Sequence, residues 1–307
     1  MSTQEWTTTG ISVAPGDTLA LELVRVTEAA AIAAGRWVGR GERDNGRIAG
    51  TAAMREHLAS VRMRGVVVIG DAGMEAGFGE GPVCDVCITV GDGALSAARD
   101  VPNSLSAIAV AERGAFYEPS PGAVMDKLAV GSDCADVVDI TRPVADNLWA
   151  IAAAKGVRVP DLVVAVPNRP RHAALVRELR DAGARIHLLE GGDIAGAIAA
   201  ARDDGPVDVL LGSGGAAGGV VAAAALSCIG GALQMRLRTD DVDKVLHTGD
   251  LVRGENILFC ATGVTGSESL HGVRHHSGRT TTQSIVLCSN PRTARTIASE
   301  RRLFPPD

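Results

Sequence analysis

Gly65-Val66-Val67-Val68-Ile69-Gly70-Asp71 and Cys84-Asp85-Val86-Cys87-Ile88-Thr89-Val90-Gly91-Asp92 are the two stretches on which the reading of this chain turns. Each is a short apolar run, rich in β-branched residues, that ends on a glycine and a carboxylate. That is the pattern of a buried strand delivering a polar side chain at its C-terminal end. Carboxylates so placed suit Mg²⁺ coordination or acid–base work, and Asp71 with Glu75 and Asp85 with Asp92 are the candidates. Turn and capping chemistry uses the same residue types, and Gly91-Asp92-Gly93 would also make a good turn.

Working outward, an amphipathic helix begins at Asp17, with Leu19, Leu23, Val26, Ala30 and Ala33 on one stripe, and ends near Gly39. A second helix is expected from Ala52 to Val61, a Gly-rich loop over 72–81, and a strand from Leu105 to Val110. Leu148 to Ala154 reads as helical. Beyond Gly156 strands at Asp161–Val166, Arg185–Leu189 and Val207–Leu211 alternate with helices at Arg171–Asp181 and Ile194–Ala201. Later strands are expected at Ile257–Ala261 and Ser284–Cys288. Such alternation predicts an α/β fold with a mainly parallel sheet covered on both faces. Three parts are expected: a loose extension over 1–16, an α/β subdomain over 17–157 and another over 158–307, with the ligand cleft between the last two and the final segments free to return to the first half.

A chain of 307 residues that is 46% hydrophobic can bury a sizeable core, and its 3% aromatic content leaves Ala, Val and Gly to fill it. The net charge of -6 and the pI near 5.7 argue against a nucleic-acid partner. No apolar run is long enough for a membrane span and no signal peptide is evident, so a cytoplasmic protein is expected. Cys84 and Cys87 form a CxxC, but in a strand positions i and i+3 point to opposite faces. Packed, reduced thiols are therefore expected rather than a zinc or redox site.

Two further constellations suit an anionic ligand. Gly212-Ser213-Gly214-Gly215-Ala216-Ala217-Gly218-Gly219 joins a strand to a helix, so backbone N–H groups can approach a phosphate or sugar; it matches neither the Walker nor the dinucleotide pattern, and no nucleotide cofactor is expected. Asn168-Arg169-Pro170-Arg171-His172 places two guanidiniums at a helix start, where the macrodipole disfavours cations unless an anion joins them. His275-His276 before Gly278-Arg279-Thr280-Thr281-Thr282 reads either as a sugar contact or as a polar surface loop.

Taken together these segments resemble the class II fructose-1,6-bisphosphatases over roughly residues 18 to 300. The resemblance is carried by Val26-Thr27-Glu28-Ala29-Ala30, Gly39-Arg40-Gly41, Met125-Asp126-Lys127-Leu128, Ala145-Asp146-Asn147-Leu148, Arg169-Pro170-Arg171-His172, Gly191-Gly192-Asp193, Gly249-Asp250-Leu251-Val252-Arg253 and Ala261-Thr262-Gly263-Val264-Thr265. It implies an αβαβα layered sandwich of the sugar-phosphatase type, a homo-oligomer (dimer or tetramer), and divalent-metal hydrolysis of the 1-phosphate of fructose 1,6-bisphosphate.

The departures from the family pattern fall on the catalytic positions. Arg47 stands where the family has an acid, Asp71 replaces the first Glu of a Gly-Glu-Gly-Glu, and Gly73 replaces the second. Thr89 stands at a metal Asp, Asp92 keeps the following acid, and Ala94 replaces a Thr. Gly218 replaces a Glu, and Val124 a phosphate-contacting Tyr. On this alignment Asp71, Glu75 and Asp92 are the catalytic candidates, with Asp71 and Asp92 as the metal ligands. Arg47, Arg169, Arg171, His172, Asp193, Gly214 and Gly215 are the candidates for holding a phosphorylated sugar. Glu80 and Asp100 are further possible donors of oxygen. Mg²⁺ or Mn²⁺ would be held weakly or not at all, since of those acids only Asp71 and Asp92 remain. Three activities stay open: a sugar phosphatase with a reduced metal site, a non-hydrolytic sugar-phosphate enzyme using acid–base groups, and a catalytically silent sugar-phosphate sensor.

Overall fold

A computed structural model describes residues 17–92, 94–239 and 242–302; the expected extension over 1–16 lies outside the described residues. The helices are α1 (Asp17–Gly35), α2 (Arg43–Leu58), α3 (Ala94–Arg99), α4 (Val144–Lys155), α5 (Ala173–Asp181), α6 (Asp193–Ala201), α7 (Ala216–Ile229) and α8 (Thr248–Leu251). The strands are β1 (Arg64–Ile69), β2 (Glu75–Ala76), β3 (Val83–Asp92), β4 (Leu105–Glu112), β5 (Val124–Val130), β6 (Val163–Pro167), β7 (Arg185–Leu189), β8 (Val209–Gly215), β9 (Ala232–Arg238), β10 (Asp243–His247), β11 (Leu258–Gly263), β12 (Arg274–His276), β13 (Arg279–Ser289) and β14 (Arg292–Arg302).

They form two sheets rather than one. The first runs β12-β13-β11-β4-β3-β1-β2 with β14 on the free side of β13, and the second runs β10-β9-β5-β8-β6-β7. The expectation of a mainly parallel sheet is corrected here. In the first sheet only β1 and β3 are parallel, and in the second only β6 with β7 and β8. A parallel neighbour needs a crossover of a dozen or more residues, usually a helix. Between β3 and β4 the chain has only the six-residue α3, and it comes back antiparallel. Each sheet draws on both halves of the chain, since β5 joins the second and β11 to β14 join the first.

Five layers result, the αβαβα sandwich of the sugar-phosphatase fold. α1 and α2 cover one face of the first sheet, where Leu23, Val26 and Leu58 meet Val67, Val86 and Ile108. α6 and α7 lie between the sheets, touching Cys87, Ala107 and Phe259 on one side and Met125, Leu210 and Met235 on the other. α4 and α5 close the far face, with Leu148, Ile151 and Leu179 on Leu128, Val164 and Val209. A helix between two sheets has no solvent face, so it is apolar all round and its residues must be small. Ala197 to Ala201 and Val220 to Leu226, every one of them buried, meet that demand. This layer is where the Ala-rich, aromatic-poor composition is used.

Cys84 packs into the outer core and Cys87 into the middle one, as alternation along β3 requires. Both are free thiols, and burial pushes that of Cys84 up to about 11, which suppresses thiolate chemistry. Among the described residues no helix is long and apolar enough to cross a membrane.

Candidate functional site

The C-terminal ends of β3, β6, β7 and β8 converge where α6 and α7 begin. β3 delivers Asp92, whose carboxylate crosses from the first sheet and accepts the N–H of Ile194 at 3.2 Å, in the first turn of α6. A carboxylate is favoured there by the unpaired N–H groups and the helix dipole. Gly192 precedes the helix, and a Cβ on it would overlap the carboxyl of Asp92; the glycine is required by space, not by backbone angle. Asp193, the first residue of α6, takes the ammonium of Lys127 from β5. Lys127 also donates to the carbonyl of Gly215 at 2.8 Å, and its side chain is only 3% exposed. Burial, then the neighbouring charge of Asp193, raises the Asp92 carboxyl to about 7, against the pull of Lys127.

The Asn168–His172 turn is built differently. Arg169 donates to the carbonyls of Asn168, Glu190 and Gly191 at 2.8, 3.2 and 3.0 Å, which ties the end of β6 to the end of β7. Arg171 turns the other way, giving Nε to the Ser213 hydroxyl at 3.1 Å and an Nη to the Ser213 carbonyl at 2.7 Å. The two guanidiniums are thus not aimed at a common point. His172, 4% exposed, approaches the Pro167 carbonyl with Nδ1 at 2.6 Å. That carbonyl can only accept, so Nδ1 carries the proton and Nε2 accepts the Ser213 N–H at 2.9 Å. Burial first, then Arg171 and Arg169, hold its pKa below the ordinary value; it positions Ser213 as a neutral ring.

The remaining candidates lie elsewhere. Asp71, beyond the end of β1, pairs with Arg55 of α2 at 2.6 Å. Glu75 is exposed on the two-residue β2, and Glu80 and Asp100 are exposed in turns. Arg47 is exposed, pairs with Asp44 at 3.6 Å, and borders a small crevice with Gly91 and Ser104. Asp85 sits at the start of β3, opposite the site, accepting the Gly114 N–H at 2.7 Å and pairing with Arg113 at 3.0 Å. His275 and His276 form the exposed β12, hairpinned onto the threonine run of β13. Gly93 and the side chain of Ala94 lie outside the described residues. The structure therefore gathers Asp92, Asp193, Gly214 and Arg169 at one seam and leaves Asp71, Glu75 and Arg47 apart from it. Lys127 belongs to the site although no chemistry was read into it, whereas Ser213, in the glycine loop, serves on the other side by holding Arg171 and His172. A lysine inside the strand Met125-Asp126-Lys127-Leu128-Ala129-Val130, which both neighbours cover, was the available signal for the first.

The match to known proteins agrees with this architecture. The profile of bacterial, glpX-encoded fructose-1,6-bisphosphatase covers residues 17–301. The chain belongs to this family. It is 33% identical over 317 aligned positions to fructose-1,6-bisphosphatase 1 class 2 of Escherichia coli K12, spanning 92% of this chain and 94% of that one. The class 2 enzyme of Shigella flexneri matches to the same extent. These relatives are named as fructose-1,6-bisphosphatases, which are phosphoric monoester hydrolases, and the family uses divalent metals. Among the described residues no group of three or more His, Cys, Asp or Glu stands where it could hold a metal. Asp71 is engaged by Arg55, and Asp92 by α6. At Gly218, the position expected from the resemblance to correspond to a Glu, there is room: a Cβ there would lie 3.7 Å from Asp193 and 4.0 Å from Lys127.

Proposed function

We propose that this chain binds a phosphorylated sugar at the seam between the two sheets and does not carry out the metal-assisted hydrolysis of its named relatives. Sugar hydroxyls would donate to Asp92 and Asp193, carboxylates already fixed at the start of α6. The phosphoryl group would lie against Gly214 and Gly215, whose backbone is uncluttered: a Cβ added to Gly215 would meet nothing within 4 Å. The start of α7, which has no side-chain cap, and Arg169 would face that group. The observation that carries this reading is the internal pairing of Lys127 with Asp193. It places an ammonium where phosphoryl charge can be balanced, while the two acids expected to hold a metal are engaged elsewhere, Asp71 by Arg55 and Asp92 by the start of α6.

The test is a panel of sugar mono- and bisphosphates, read by thermal shift and by phosphate release with Mg²⁺ or Mn²⁺. Stabilisation by a sugar phosphate without phosphate release is expected. Release that disappears with chelator and in Asp92→Ala would show a working metal phosphatase and overturn the proposal. Restoring acids as Arg47→Asp, Thr89→Asp and Gly218→Glu together should bring bisphosphatase activity back if those positions are the ones lost.

A further inference from the structure

The outermost helix pair carries a cavity that the seam does not use. Gly50 lets α2 press against α1 and the first sheet: a Cβ there would lie 2.5 Å from a methyl of Val90 and 3.0 Å from the carbonyl of Ala30. On the solvent side the same helices meet through small residues. Ala29, Ala33, Ala49 and Ala53, with Ile32 and Trp37, floor a trough of about 500 Å³. Arg36 and Arg40 rise from the turn after α1, His57 from α2 and Arg301 from the end of β14. The first sheet stands between this trough and α6 and α7, and none of Asp92, Asp193, Lys127 or the Asn168–His172 turn lines it.

Other arginines of these elements are matched, Arg47 by Asp44 at 3.6 Å and Arg279 by Glu300 at 3.0 Å. Among the described residues Arg36, Arg40 and Arg301 have no such partner, and no carboxylate lines the trough. Arg40 is held over the Trp37 ring, 5.7 Å from its centre. The dipole of α1 favours a cation just beyond Gly35, but it does not account for Arg301, which β14 brings from far along the chain. Three guanidiniums above an apolar floor suit an anion with an apolar body. The lining also says what that body is not. Arginine and tryptophan only donate, and the Nδ1 of His57 is turned to the Ala53 carbonyl at 3.0 Å. One ring nitrogen is then the sole acceptor among the lining side chains. The hydroxyls of a sugar or the N–H edge of a nucleobase would be enclosed there without partners.

We propose that this trough binds an organic acid with an apolar body, its carboxylate on Arg36 and Arg301 and its hydrocarbon on the alanine floor beside Trp37. The probe is phenylbutyrate; phenylbutanol carries the same body without the charge, and acetate the charge without the body. Binding is read by fluorescence in the full chain carrying Trp6→Phe and Trp149→Phe, so that Trp37, the last of the three tryptophans, reports on the trough. Saturable binding of phenylbutyrate is expected by millimolar concentration. Arg36→Gln/Arg301→Gln, at two exposed positions, should weaken it about tenfold or more, the worth of one charge-assisted hydrogen bond, with an unchanged melting temperature. Phenylbutanol and acetate should bind no better than phenylbutyrate binds that double variant. Absence of a saturable response to phenylbutyrate would overturn the proposal, as would equal binding of phenylbutanol or binding undiminished in the double variant. Binding that disappears at protein concentrations where light scattering shows self-association would assign the trough to a second copy of the chain, and the proposal would fail.

Discussion

The inner and outer faces of the second sheet, at the same strand ends, handle charge in opposite ways. On the inner face Lys127, Asp193 and Asp92 lie under two helix starts and answer one another or the backbone. On the outer face guanidiniums line an open cavity, and Arg171 is held by Ser213 and not by a carboxylate. One residue's shift along a strand separates the two environments. Enclosed charges must be matched where they stand, because desolvation is expensive, whereas a solvated cavity can leave charge for a ligand to match. The inner group therefore carries folding as well as the proposed binding, and the outer group can be altered at little structural cost.

Lys127→Met breaks the comparison hardest. It strands Asp193 beside Asp92 without a counter-charge and should cost about 3–5 kcal/mol in urea unfolding. Lys127→Met/Asp193→Asn should recover part of that loss; a double variant as unstable as the single one would mean that the pair is not the source. His172→Ala comes next, since it leaves the Pro167 carbonyl and the Ser213 N–H unpaired in the interior, at about 2–3 kcal/mol. The ring's lowered pKa adds a sign. Its contribution is complete above the ordinary histidine value near 6.5 and is lost as pH falls through the folded value, so the gap between parent and variant should close on acidification. A gap constant from pH 8 to pH 4 would contradict the neutral-ring assignment.

How much of this was legible in the sequence follows the same division between interior and surface. The apolar cores of β1, β3, β6 and β8 were readable because strands covered on both faces are continuous hydrophobic runs. β14, Arg-Thr-Ala-Arg-Thr-Ile-Ala-Ser-Glu-Arg-Arg, has almost no apolar period, and only pairing with β13 makes it a strand. β9 was readable in principle from Leu233, Met235 and Leu237. Sheet direction was not: helix-like segments between strands suggested parallel crossovers, and whether a strand returns beside its predecessor is decided by long-range packing. In the candidate site, the glycine turns and the basic pair were visible as local motifs. That Arg169 and Arg171 serve opposite faces depends on Pro167, Ser213 and Gly191 coming together across more than 40 residues, which no local pattern records.

Asp92→Asn sharpens the comparison through pH. The carboxyl is raised from 3.8 to about 7 in the folded chain, so folding retains its proton over that window. Stability associated with the group is complete below the unfolded value and is lost as pH rises through the folded one. The amide cannot ionise, so the variant should match the parent near pH 4 and exceed it above pH 7 by on the order of 4 kcal/mol. Equal stability at both pH values would show that Lys127 already compensates Asp92 fully.

Arg55→Ala should do least. Its guanidinium is about half exposed, 52%, and although its hydrogen bond and charge pairing with Asp71 raise its pKa, solvent screens the pair. The denaturation midpoint should hardly move. The informative readout is Mn²⁺ binding followed by electron paramagnetic resonance. Removing Arg55 frees Asp71, but Asp92 remains committed to the start of α6 and Thr89 offers no carboxylate, so one acid alone faces the ion. Weak, non-saturating Mn²⁺ binding is therefore expected in parent and variant alike. Tight binding in Arg55→Ala would show that a single surface arginine, and not the loss of several acids, is what keeps a metal out, and the contrast between a self-neutralised inner face and a ligand-seeking outer one would have to be redrawn.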